Sequence, residues 1–195
     1  MSKRAIKFLI AHDLDDSLVN GHIFGDTEIT YDFLKHPLET GDLLAQAALD
    51  EHLIAITTTN IFRAKIEEVL KLLFITGSES IPIIKRETDL EEKNHHVLQA
   101  MKEYGILDRK ELYIPLVIDD SGLAVEAALK RGWAGIVVPN HYTAEMANDP
   151  KLKSHLPTLK AVLDDPSNYA EICAFHNQRF GVYAPDISQS NWLGL

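Results

Sequence analysis

Hydrophobic residues in this chain form short runs, and longer stretches of mixed character lie between them. Each run is rich in Ile, Val, Leu or Ala and is followed by polar residues. Short apolar runs of this kind are typical of parallel strands that are buried on both faces. The runs cover residues 8–11, 53–56, 116–118 and 135–138.

The stretches between these runs have the spacing of amphipathic helices. In the second stretch, Ile66, Val69, Leu70 and Leu73 lie on one helical face, and Asn60 is a candidate N-cap. The predicted helices cover residues 41–52, 61–74, 91–104 and 122–131. Strands that alternate with helices predict an α/β fold with a central parallel sheet and right-handed crossovers.

Two segments do not follow this alternation. We interpret residues 20–40 as a flap after the first strand, because the segment is mixed and contains Gly21 and Gly25. The tail from about residue 164 to residue 195 has several aromatic residues without clear periodicity. Exposed aromatics would form a sticky patch, so we expect this extension to pack on the core of one domain that spans residues 1–195.

Composition and charge narrow the function classes. The 195 residues have a formal net charge of -10, which argues against a surface that coats nucleic acid. No apolar run approaches the roughly 20 residues of a membrane span. Cys173 is the only cysteine, so an intramolecular disulfide is excluded and we expect the thiol to be a small buried group. These features predict a cytoplasmic protein without a membrane partner.

Polar side chains that can perform chemistry follow three of the four runs. Asp13 and Asp15 follow the first run, and two acids so close raise each other's proton affinity unless a cation lies between them. Their spacing therefore indicates a divalent metal site or an acid/base pair. The other candidates are Thr57 and Thr58 after the second run, Lys93 at the start of a helix, and Asp119 and Asp120 after the third run.

The carboxyl ends of parallel strands meet at one edge of a sheet, so these groups are expected to converge there. Carboxylate oxygens in such an arrangement suit Mg²⁺. A lysine and a hydroxyl group at a helix N-terminus suit a phosphate. The sequence therefore predicts a site for Mg²⁺ and a phosphorylated ligand.

The order of these motifs resembles the haloacid dehalogenase-like hydrolases, most of which are Mg²⁺-dependent phosphatases. The family's D-x-D-x-T/S motif matches residues 13–17, and its strand-ending Thr or Ser matches Thr57, or Thr58 after a slip of one residue. Its helix-opening lysine matches Lys93, and its acid pair matches residues 119–120. The resemblance covers roughly residues 5–140.

The resemblance implies a Rossmann-like three-layer sandwich and a covalent phosphatase mechanism. Asp13 would be the nucleophile and Asp15 the general acid and base. Thr57 or Thr58 would bind the phosphoryl oxygens together with Lys93. The implied Mg²⁺ ligands are Asp13, the backbone carbonyl of Asp15, Asp119 and Asp120. The expected substrate is a phosphorylated small molecule or a nucleotide.

Two features of the sequence affect this interpretation. The family usually has glycine where this chain has Asp16, which would slow catalysis, bias the substrate range or indicate a retired, inactive scaffold that only binds. The gaps between motifs are too short for a large cap domain, so the open site would accept large partners or be closed by a homo-oligomer. A receiver-like phosphorylation domain is an alternative, but receivers have adjacent acids after the first strand, and here the adjacent pair comes last.

Overall fold

One parallel sheet forms the centre of the fold. The structure is a computed structural model that describes residues 6–74, 77–85, 93–108, 112–140 and 154–183. Within these residues, five strands pair in the order β3-β2-β1-β4-β5, and every neighbouring pair is parallel. The strands are β1 Lys7–His12, β2 Leu53–Thr58, β3 Ile83–Lys85, β4 Tyr113–Asp119 and β5 Ala134–Val137.

Helices cover both faces of this sheet. They are α1 Pro37–Leu49, α2 Arg63–Leu73, α3 Lys93–Glu103, α4 Gly122–Lys130, α5 Leu156–Asp164 and α6 Tyr169–Asn177. Short 3-10 turns occur at Tyr31–Phe33, Ser78–Ser80, Pro166–Asn168 and Gln178–Phe180. The chain therefore has the predicted α/β architecture, and its layers are consistent with a Rossmann-like three-layer sandwich.

Alternation along β1 separates the core into two layers. Phe8 and Ile10 pack in the larger cluster with apolar residues of α1, α2, α5 and α6. Leu9 and Ala11 face the opposite way and pack with residues of α3 and α4. Because both faces of the central strand are covered, its sequence is continuously apolar, and this property made the strand recognisable.

The predicted strands and the first four helices are present with small changes in their bounds. Four of the five strands contain the predicted runs, apart from Val138, which lies just past β5. Helices α5 and α6 were not predicted. In α6 the buried side includes His176 and Asn177 as well as Cys173, so the helix lacks a clean apolar stripe.

The segment between β1 and α1 folds back on itself. Val19 forms an antiparallel bridge with Leu34, and the backbone N–H of Asn20 donates to the carbonyl of Phe33 at 2.8 Å. Ile23 and Leu34 are buried in the larger core cluster. We use "flap" for residues 20–36, since Pro37 already begins α1.

Two side chains of α6 bond to the outer edge of β5. Asn177 accepts a hydrogen bond from the Val137 N–H at 3.0 Å and donates to the Gly135 carbonyl at 2.8 Å. His176 donates from Nε2 to the Val137 carbonyl at 2.7 Å, and its Nδ1 lies 2.8 Å from the hydroxyl of Thr158. Burial lowers the pKa of His176, which favours the neutral ring.

Two expectations about the rest of the chain can be compared with this fold. Cys173 is 2% exposed, and burial raises the pKa of its thiol to about 12, as expected for a small buried group. Among the described residues, no helix combines the length and the apolar character needed to cross a membrane.

Asn177→Leu should destabilise the protein strongly. The substitution keeps the branched shape of the side chain but leaves two buried backbone groups of β5 without partners, each at a cost of about 1–3 kcal/mol. The expected loss in the free energy of unfolding is therefore roughly 2 kcal/mol or more, measured by urea denaturation. Gln178→Ala, at the exposed neighbouring residue, is the control and should change stability by less than about 0.5 kcal/mol. Equal stability of the two variants would contradict this account of the edge.

Candidate active site

The register of the central strands places three polar residues at one level of the sheet. His12 of β1 pairs with Ile56 of β2 and with Ile118 of β4. The next residue, Asp13, donates its backbone N–H to the Ile118 carbonyl at 2.8 Å, so the ladder continues by one residue. Asp13 therefore lies between Thr57 on one side and Asp119 on the other, at the carboxyl edge of the sheet.

Three of the predicted metal ligands converge at this edge. Asp13, Asp119 and Asp120 each place a carboxylate oxygen within 4.8 Å of those of the other two. Asp13 and Asp119 are buried, and Asp120 is half-buried. Like charges at this distance disfavour one another's ionised form unless a cation compensates them. The donors are all carboxylate oxygens, as hard divalent cations prefer, so this group could hold such a cation.

Neighbouring polar groups orient two of these carboxylates. The backbone N–H of Ser121 donates to Oδ1 of Asp119 at 2.9 Å, and Ser121 is also the N-cap of α4. The side-chain amide of Asn140 donates to Oδ2 of Asp120 at 3.2 Å. No sequence pattern indicated Asn140, because it follows β5 outside every motif. Its contact depends on the adjacency of β5 and β4.

The carboxylate of Asp15 lies apart from this three-acid group and has its own hydrogen bonds. Its Oδ1 accepts from the backbone N–H of Ile23 at 2.9 Å. The side-chain amide of Asn60 donates to Oδ2 at 3.0 Å and to Oδ1 at 3.3 Å. The structure therefore separates the two acids of the D-x-D motif by their surroundings.

The N-cap prediction for Asn60 is wrong. The N-cap of α2 is Phe62, and it has no side-chain capping bond. Asn60 lies two residues before that cap, where it contacts Asp15. Asparagine is a common N-cap residue, so the local pattern suggested a cap. The long-range contact with Asp15 leaves no local pattern.

The structure distinguishes the two threonines at the end of β2. Thr58 Oγ1 accepts a hydrogen bond from the Asn60 N–H at 3.0 Å, a local turn contact. Thr57 is fully buried, and its Oγ1 has no hydrogen-bond partner among the residues that the structure describes. Buried hydroxyl groups usually have a hydrogen-bond partner, and a ligand oxygen at the sheet edge would be such a partner for Thr57. The geometry therefore favours Thr57 over Thr58 for the phosphate.

Lys93, the predicted phosphate-binding lysine, is the first residue of α3. Its side chain lies outside the described residues. Helix α3 packs on the sheet face that carries Leu9 and Ala11, and by strand alternation Asp13 lies on that same face.

Asp16 has the backbone conformation that glycine usually supplies. Its φ of 56° lies in the left-handed region, where aspartate is tolerated better than most residues. Its Oδ1 accepts from the N–H of Gly21 at 3.0 Å, and its own N–H donates to the Gly21 carbonyl at 3.0 Å. Two hydrogen bonds with Gly21 thus hold Asp16 in this conformation.

A lysine of the flap lies close to the acids. The ammonium of Lys35 donates to the backbone carbonyl of Asp16. Burial lowers the pKa of Lys35, and three nearby carboxylates oppose that shift, those of Asp16, Asp120 and Asp13. Lys35 does not follow a strand, so the pattern of polar residues at strand ends did not indicate it. It belongs to the flap, which folds back toward the sheet edge.

His12 faces away from the acids, as the alternation of β1 predicts. Its Nδ1 lies 2.7 Å from the Asp13 carbonyl, and its Nε2 lies 3.2 Å from Nε2 of His155. Burial lowers the pKa of His155 well below its ordinary value, so a neutral His155 ring is favoured. We assign this pair to the packing that supports Asp13.

Comparisons with known proteins do not identify the chain. No family model matches it, and no curated protein or solved structure is significantly similar to it.

Asp16→Ala should destabilise the protein more than Asp16→Gly does. Alanine in the left-handed region costs about 1–2 kcal/mol, whereas glycine adopts the region freely. Both variants lose the side-chain bond to Gly21, so their difference isolates the backbone conformation. Urea denaturation of the two variants measures it. Equal stabilities would show that φ at this residue is not left-handed in solution.

Mg²⁺ should raise the melting temperature through the three-acid group. A cation that binds only the folded state adds about 2.7 kcal/mol at a concentration a hundredfold above its Kd. We expect Asp119→Asn to lose most of this gain while melting no lower than wild type in chelator, since one repulsive charge is removed. Asp42→Asn, at an exposed residue of α1, makes the same charge change elsewhere and should keep the full shift. An unchanged shift in Asp119→Asn would place the cation at another site.

Proposed function

We propose that this protein is a Mg²⁺-dependent phosphatase that hydrolyses phosphomonoesters through an aspartyl-phosphate on Asp13. The observation that carries the proposal is the division of four acids into two environments. Three carboxylates converge on one point, and the fourth, that of Asp15, is held separately by two hydrogen-bond donors. Pairs of acids in different surroundings are typical of sites where one acid attacks and another transfers protons.

The donor set fits Mg²⁺. Asp13, Asp119 and Asp120 would hold the ion, and the motif resemblance adds the backbone carbonyl of Asp15. When bound, the ion would neutralise charge on the phosphate so that an anionic nucleophile can approach it. The hydrogen bonds from Ser121 to Asp119 and from Asn140 to Asp120 would keep both carboxylates oriented.

In the first half-reaction, a carboxylate oxygen of Asp13 attacks phosphorus and forms an acyl-phosphate bond. The bond between phosphorus and the leaving oxygen breaks, and Asp15 gives that oxygen its proton. In the second half-reaction, Asp15 takes a proton from water, and the resulting hydroxide breaks the acyl-phosphate. Inorganic phosphate leaves, and both aspartates return to their starting states.

Hydroxyl and ammonium groups would hold the phosphoryl oxygens. Thr57 is suited to this role because its buried hydroxyl lies level with Asp13. Lys93 is assigned by the motif resemblance, and the ammonium of Lys35 adds positive charge near the acids. Two cations near four acids would keep Asp13 ionised and offset part of the repulsion toward an anionic substrate.

The surroundings of the site are consistent with an open, capless enzyme. Residues 13–36 connect β1 to α1, and the flap within them is too short to form a cap domain. We propose a phosphorylated small molecule or nucleotide as substrate, with a second copy of the chain as a candidate cover. A buried thiol at Cys173 suits a cytoplasmic location.

Hydrolysis of an aryl phosphate tests the proposal. With Mg²⁺ present, the wild type should release the phenol, and excess chelator should stop the reaction. Asp13→Asn removes the nucleophile and should lower kcat about a thousandfold or more. Asp42→Asn should retain full activity.

A negative result is informative if the protein is folded and binds Mg²⁺. Absence of turnover on aryl, alkyl and nucleotide monoesters would overturn the phosphatase assignment and leave a binding protein on a retired scaffold. Mass spectrometry gives a second readout, because an acid-stable phosphoryl adduct on the peptide that contains Asp13 would support the covalent route directly.

A further inference from the structure

We propose that Asn60 is the residue that positions Asp15 as the general acid, by joining it to the flap and to the start of α2. This inference rests on the proposed function and deepens it. Neither the motif order nor the strand-end reasoning assigns such a role to Asn60.

Both the nitrogen and the oxygen of the Asn60 side-chain amide form hydrogen bonds. Its nitrogen donates to Oδ2 of Asp15 at 3.0 Å and to the carbonyl of Ile23 at 2.8 Å. Its oxygen accepts from the backbone N–H of Phe62 at 2.9 Å. Acceptors surround the nitrogen and a donor faces the oxygen, so the amide has one orientation that satisfies its partners. At 8% exposure, Asn60 is shielded from competing water.

The flap supplies the second support of the same carboxylate. The backbone N–H of Ile23 donates to Oδ1 of Asp15 at 2.9 Å, and the Ile23 side chain is buried in the core. A methyl group added at Gly25 would lie 3.1 Å from the ring of Phe62, so the flap backbone passes close to the start of α2. Asn60 therefore holds Asp15 between two elements that themselves contact each other.

This arrangement distinguishes the two oxygens of Asp15. Oδ1 accepts from Ile23 at 2.9 Å and from Asn60 at 3.3 Å, whereas Oδ2 accepts from Asn60 alone, at 3.0 Å, among the residues with described positions. Since Oδ2 has the freer lone pair, we assign to it the proton that passes to the leaving oxygen. A fixed carboxylate plane increases the rate of proton transfer, because that step depends on alignment in the transition state.

The dependence of the rate on the leaving group distinguishes this positioning role from a purely structural one. An aryl leaving group departs readily without a proton, whereas an alkyl leaving group depends on general acid help, which contributes typically about 10²–10⁴-fold. We would measure kcat/KM for p-nitrophenyl phosphate and for glycerol phosphate with Mg²⁺, because kcat/KM reports the steps up to loss of the leaving group and excludes the later hydrolysis of the acyl-phosphate, which both substrates share. Asn60→Leu should reduce kcat/KM on glycerol phosphate about tenfold or more and on p-nitrophenyl phosphate by about threefold or less.

A second variant guards against a folding defect. Asn60→Ser keeps a hydroxyl that can accept from the Phe62 N–H, but it is too short to reach Asp15. It should lower the melting temperature less than Asn60→Leu does, because the bond to the Phe62 N–H is kept, and it should still show the leaving-group effect. Asn20→Ala is the matched control, because within the described part of the chain the Asn20 side chain donates only to the flap carbonyls of Asp32 and Leu34, each at 3.4 Å. This control should slow both substrates equally or leave both unchanged.

A double-mutant cycle with Asp15→Asn completes the test. If Asn60 acts through Asp15, adding Asn60→Ser to Asp15→Asn should lower kcat/KM on glycerol phosphate no further. A full additional loss in that background, or equal losses on both substrates in Asn60→Ser, would overturn the inference. If the wild type hydrolyses neither substrate, the proposed function fails instead, and the two failures are therefore distinguishable.

Discussion

The register of β1 between β2 and β4 is the constraint on which the candidate site depends. It sets Asp13 level with Thr57 and with Asp119, and the bond from the Asp13 N–H to the Ile118 carbonyl extends it past the end of the strand. A slip of one residue would exchange the faces of the strand and direct His12 toward the acids. The continuous apolar character of β1 does not itself prevent that slip. The two dissimilar cores on the two faces do, since Phe8 and Ile10 fit one layer and Leu9 and Ala11 fit the other.

Crowding acids at the end of an apolar sheet has an electrostatic cost, and the surrounding backbone offsets part of it. The N-terminus of α4 presents the Ser121 N–H to Asp119, and the flap presents the Ile23 N–H to Asp15. Donors that belong to the main chain stay in place without losing side-chain entropy, so they are an efficient way to hold charge. Lys35 adds a full positive charge from the same flap. The flap is therefore part of the electrostatics of the site as well as a cover beside it.

Sequence patterns predicted the parts of the fold that are determined by residues close together in the sequence. Buried parallel strands are short and apolar, so β1, β2, β4 and β5 were recognisable, and the polar residues that follow them identified the sheet edge. Contacts between distant segments left no local pattern, which is why Asn60, Asn140 and Lys35 were missed or misassigned. Helix α6 was missed for a related reason. Two of its buried side chains, His176 and Asn177, are polar because they form hydrogen bonds with the backbone of β5. Apolar periodicity does not indicate a helix of this kind.

The bonds from α6 to β5 also bear on how the molecule behaves among copies of itself. An outer strand with open N–H and carbonyl groups is a template on which another chain can add a strand, and such pairing leads to aggregation or domain swapping. Here Asn177 and His176 occupy the groups of Gly135 and Val137 that a foreign strand would need. Helix α6 thus protects the sheet from unwanted partners by satisfying its edge with side chains, and a chain without this helix would present that edge to solvent.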